Sequence, residues 1–134
     1  MKPVTYDDYI EKNQTISFAG MGDLHQRMIG EVGDDPDARG LYDELAETSA
    51  RYALIRARWK LLSKAEKADM DASRTACHDS LIVKFNQLAR YLRQQGKTAE
   101  WRDILGYEEE DRINRKRIGD FGCYIAFVNG INAR

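Results

Sequence analysis

The chain has 134 residues, 43% hydrophobic and 32% charged, with only two prolines and a net charge of -1 from 21 basic and 22 acidic side chains. That length fits a single domain around one core, and the composition suits a helical globular chain and argues against disorder. The balanced charge gives no global attraction to nucleic acid or anionic lipid, so binding of either kind needs a local patch.

The opening MKPVTYDDYIEKN lacks the apolar core of a secretory signal, and Cys77 and Cys123 stand far apart outside any CxxC pair. The chain therefore reads as a reduced, cytoplasmic protein. Thr5 caps a first short helix with Asp7 and Asp8 in its first turn, and Tyr6, Tyr9 and Ile10 form its apolar side. Gly20 and Gly22 predict a bend, after which Asp23 to Ile29 restarts a short helix that Gly30 and Gly33 close. Short helices over 5–30 and a linker over 31–36 thus precede a bundle core over 37–134.

Asp35-Pro36 is a capped helix start. From there Leu41, Leu45, Thr48, Tyr52, Ile55, Trp59 and Leu62 recur at spacings of four and three, the period of a helix packed lengthwise on another. Acids come early, at Asp43, Glu44 and Glu47, and bases late, at Arg51, Arg56, Arg58 and Lys60, an order that matches the helix dipole. Ser63-Lys64-Ala65-Glu66 has the spacing of a capping box. The next helix carries Cys77, Leu81, Phe85, Leu88 and Leu92 as its stripe, widened by Ile82 and Ala89, and stops at Gly96. With almost no loop between them, Ala38 to Leu62 and Lys64 to Gln95 predict a long antiparallel hairpin.

Thr98 then caps a short helix, Ala99 to Leu105, with Trp101 and Leu105 inward. In the last quarter, Glu108 to Arg112 and Asp111 to Arg115 are acid-before-base pairs one turn apart. Ile118, Phe121, Ile125 and Val128 continue the helical period, although CYIAFV is β-branched and aromatic enough to be a strand. Helix is preferred because no other stretch offers a partner strand. The longest apolar run, Tyr124 to Val128, falls far short of the roughly 18 residues a membrane span requires. The fold class that follows is all-α: an up-and-down bundle of about four main helices on a long central hairpin.

Chemistry is harder to find. His25, the dipeptide His78-Asp79 and a later acid such as Asp103, Asp111 or Asp120 could form a His, His-Asp, Asp metal set, an order that resembles the HD-domain phosphohydrolases. That resemblance implies metal-activated water, but it covers one dipeptide, and HDSLIVK departs from the family's surroundings. The competing assignment puts His78 at the border of the core stripe and Asp79 in solvent. Cys77 aligns with Leu81 and reads as a buried thiol, as does Cys123 one turn before Phe127. The acidic linker fails as a calcium loop because Arg39 and Ala46 occupy ligand positions. No cofactor is implied. Arg112, Arg115, Lys116 and Arg117 form the densest basic cluster, a candidate phosphate-contacting patch that Glu108 to Asp111 counterbalance within the same segment.

The strings RTACHDSLI, LARYLRQQG, EWRDILG and RKRIGDFGCYIAF together resemble a small all-helical bacterial family of unknown function, from about Arg51 to Arg134. The resemblance implies a helical fold and a bacterial origin, and it transfers no catalytic residue. The sequence is best accounted for by a non-enzymatic cytoplasmic bundle acting in self-association or in protein–protein interaction and regulation. The alternatives are a nucleic-acid-binding accessory protein and an HD-like phosphohydrolase.

Overall fold

The computed structural model describes residues 16–106 and 112–130, the side chains of 112–115 excepted. It is all-α: α1 (Phe18–Val32), α2 (Pro36–Trp59), α3 (Lys64–Gln94), α4 (Glu100–Leu105) and α5 (Arg112–Val128), with no strand among the described residues. The expected helix around Thr5 and the ion pairs from Glu108 and Asp111 lie outside these residues.

The sequence signals at the hairpin act as read. Asp35 Oδ1 accepts from the amides of Asp37 and Ala38, and Pro36 occupies the first turn, where a missing N–H costs nothing. Ser63 and Glu66 close a reciprocal capping box, so α3 starts directly after the short turn that ends α2. The hairpin is tied across its width by Lys84 to Glu44 at 2.8 Å and by Tyr91, whose hydroxyl donates to Asp35 Oδ2 at 2.7 Å.

The three longest helices form the body of the bundle, with α2 in the middle, packed extensively on both α3 and α5. Arg56 meets Asp120 and Tyr42 meets Asn129, so α5 runs antiparallel to α2. Two glycines allow α5 its close approach. A Cβ on Gly119 would stand 2.9 Å from the Tyr52 hydroxyl, and one on Gly122 would stand 2.5 Å from Leu81 Cδ2. Leu81 is fully buried and cannot move aside, so α5 crosses α3 at a point only glycine permits. Around that crossing Phe85 stacks on Phe121 with centroids 5.7 Å apart.

Two expectations need correction. The glycines at 20, 22 and 30 do not divide the N-terminal stretch: α1 is one helix capped by Ser17 and ended at Gly33. Each helical glycine costs about 1 kcal/mol relative to alanine, and burial of Met21, Leu24, Met28 and Val32 along one stripe outweighs that. Nor does Thr98 cap α4. The cap position is Ala99, in the left-handed region at φ 49°, with no side-chain bond of its own. Glu31 on α1 supplies the acceptors from a distance. Its carboxylate takes hydrogen bonds from the Thr98 and Ala99 amides, the Thr98 hydroxyl and Trp101 Nε1.

Candidate functional site

The helical stripe of α2 is rotated slightly from the one the apolar residues alone mark. Tyr42, Leu45, Thr48, Ser49, Tyr52, Ala53 and Arg56 are buried, while Leu41, Ile55 and Trp59 are half-buried and Leu54 is exposed. The rotation turns polar residues into the core. Arg56, expected as a dipole-stabilising surface base, instead lies 8% exposed and pairs with the fully buried Asp120 at 3.1 Å. It also donates to Cys123 Sγ at 3.7 Å and stands over the Tyr52 ring. Burial pushes the Cys123 thiol up to about 12 and the Tyr52 phenol up to about 12, so both are neutral at pH 7. A neutral, enclosed thiol is a poor nucleophile, and the cluster works as a polar clasp between α2 and α5.

The two histidines go to different clasps. His25 Nε2 is 2.7 Å from the Tyr42 hydroxyl, and Asn129 Nδ2 donates to that same oxygen at 3.0 Å. Asn129 Nδ2 also donates to the Ile125 carbonyl at 2.8 Å. Asn129 donates to the Tyr42 oxygen, and the direction of the Tyr42–His25 bond follows the imidazole's tautomer: the neutral ring with its proton on Nδ1 accepts the Tyr42 hydrogen at Nε2. His78 is buried edge-on against Tyr52 at 5.3 Å between centroids, and Asp79 is exposed. Tyr42 and Tyr52 are ten residues apart on one helix, about 15 Å along its axis, so the partners of His25 and His78 are well separated. Among the described residues, no three or more His, Cys, Asp or Glu are placed to hold a metal ion. Cys77 is half-buried, and burial raises its thiol pKa. Of the basic cluster, Lys116 and Arg117 are half-buried, while the side chains of Arg112 and Arg115 lie outside the description.

A concavity among the described residues runs along α2 beside the end of α5. A cleft of about 610 Å³ is lined by Asp43, Ala46, Glu47, Ala50, Arg51 and Leu54 of α2, with Ala126 and Asn129 at the end of α5 as its far wall. Its floor is alanine, so a helix could approach α2 to the 8–10 Å axial separation of packed helices. Leu54 stands 43% exposed at one end of it. The rim is charged in order, Asp43 and Glu47 first and Arg51 after. Sequence reading missed this cleft because its alanines look like helix filler; the available signal was the second period, Ala46, Ala50, Leu54, running beside the main stripe.

No helix among the described residues is long and apolar enough to cross a membrane. Comparison with known protein families, with curated proteins and with solved structures finds no match to this chain.

Proposed function

We propose that this chain is a helix-docking interaction module, acting in the bacterial cytoplasm without chemistry of its own. The observation that carries the reading is the α2–α5 cleft, a groove with an apolar floor and a charged rim on the central helix of the bundle. Grooves of this form take the apolar face of an amphipathic helix, with small side chains admitting the knobs and rim charges fixing the register. The polar clusters at Tyr52, Arg56 and Cys123 and at His25, Tyr42 and Asn129 support it indirectly, since they tie α2 to the α5 end of the groove, and of these residues Asn129 alone is also in the groove lining. The two cysteines are free thiols, which fits a reducing compartment.

The test is a photo-crosslinking residue placed at Leu54, with Val83 on α3 as the control, because both are exposed and only Leu54 lines the cleft. Irradiation in the producing cells should yield a covalent adduct at Leu54 whose peptide maps to a helical segment. Equal, diffuse labelling at Leu54 and Val83 would sink the reading.

A further inference from the structure

We propose that the segment docked in this cleft is α2 of a second copy of the chain, lying antiparallel to the first. The proposal rests on the helix-docking reading above and adds the identity of the partner. Its basis is the charge order along the exposed face of α2, where Asp43 and Glu47 precede Ala50, and Arg51 and Arg58 follow it. Among the described residues none of these four belongs to an ion pair, whereas Glu44, on the side toward α3, is already matched by Lys84.

A two-fold axis at Ala50 makes this face complementary to itself. Reversing a second α2 about that point sets Leu54 of each copy over Ala46 of the other, a large side chain into a small one. Glu47 then falls within two residues of the other copy's Arg51, about 3 Å along the axis, and Asp43 within one residue of its Arg58, about 1.5 Å. The axis repeats every contact, so two apolar pairs and four ion pairs follow from one face. A parallel arrangement instead sets Asp43, Glu47 and Arg51 each beside its own copy, where like charges repel. The acid-to-base order along α2 thus selects the antiparallel dimer over the parallel one.

The experiment is sedimentation of the full chain over a range of concentrations, for the wild type, Glu47→Arg, Arg51→Glu and an equimolar mixture of the two variants. The wild type should dimerise, more weakly at high salt. Each single reversal places like charges across the axis and should weaken dimerisation at least about tenfold. The mixture should regain a dimer that native mass spectrometry identifies as one copy of each variant, because the Glu47→Arg chain presents two positive charges at these positions and the Arg51→Glu chain presents two negative ones. Restoration on mixing cannot arise from an effect within one chain, and unchanged helicity by circular dichroism shows that the exposed substitutions leave the fold intact. A wild type that is monomeric throughout, or single variants that dimerise as tightly as it does, overturns the proposal. If the wild type is monomeric and Leu54 still crosslinks to a different protein, helix docking stands and the second copy is excluded; absence of crosslink and dimer alike removes both.

Discussion

At the scale of single residues, the interior of α2 holds one group that is satisfied at high stakes and one that is not satisfied at all. Ser49 is fully buried, and among the described residues its Oγ has no hydrogen-bond partner. An orphaned hydroxyl in an apolar setting costs free energy, and alanine is the better helix former, so Ser49→Ala should stabilise the fold by about 1 kcal/mol. Arg56 is the opposite case. Replacing it by methionine takes the guanidinium away from the buried Asp120 carboxylate and should destabilise by about 3–5 kcal/mol. Urea melts of the two variants should therefore move in opposite directions. A Ser49→Ala midpoint below the wild type would mean that the hydroxyl has a partner after all.

At the scale of elements, α4 depends on a residue nearly 70 positions away. It has six residues, too few for a stable isolated helix, and its cap position lacks a side-chain acceptor. Glu31 of α1 supplies that acceptor and anchors the Trp101 indole at 2.8 Å. Glu31→Ala should cost about 2–3 kcal/mol, since several hydrogen bonds to one carboxylate are lost together. Release of Trp101 should red-shift tryptophan emission below the main unfolding transition, and an unshifted spectrum with an unchanged urea midpoint would refute the anchoring role. This contact also marks a limit of sequence reading. The elements with local signals were legible: Asp35-Pro36, the Ser63 capping box, the Leu81 to Leu92 stripe and the helical period through Ile125. What depended on distant partners was not. Glu31 looks like any acid near a linker, Arg56 like any late-helix base, and the Ala46 to Leu54 side of α2 like padding, because their meaning lies in what α4, α5 and the cleft bring to them. The glycines of α5 misled less than those of α1, since an apolar period ran on through them.

For the molecule as a whole, the His25–Tyr42–Asn129 chain joins α1, α2 and α5, so the protonation state of one imidazole bears on how three helices hold together. Burial lowers the pKa of His25 from its ordinary value of 6.5. A hydrogen donated by Tyr42 favours the same neutral form, because it requires Nε2 as an acceptor. The folded state therefore prefers unprotonated His25 more than the unfolded chain does. Above 6.5 both states are unprotonated and the preference is fully present. As pH falls below 6.5 the unfolded chain takes up the proton first, and stability declines until the folded pKa is passed. The slope for one proton cannot exceed about 1.4 kcal/mol per pH unit. The carboxyls of Asp35 and Glu66 are also held below their ordinary values, Asp35 chiefly by Tyr91 and Glu66 by its bonds to Ser63, and these act in a separate, more acidic window near and below pH 4. Between pH 7 and pH 5 the wild type should thus lose stability relative to His25→Gln, whose amide oxygen still accepts from Tyr42 without titrating. In the same window the imidazole carbon resonance of His25 should titrate with a midpoint below 6.5, and Tyr42→Phe should move that midpoint upward by removing the donor. A wild type and a His25→Gln variant that run parallel from pH 7 to pH 5 would show that the three-helix chain does not sense the proton.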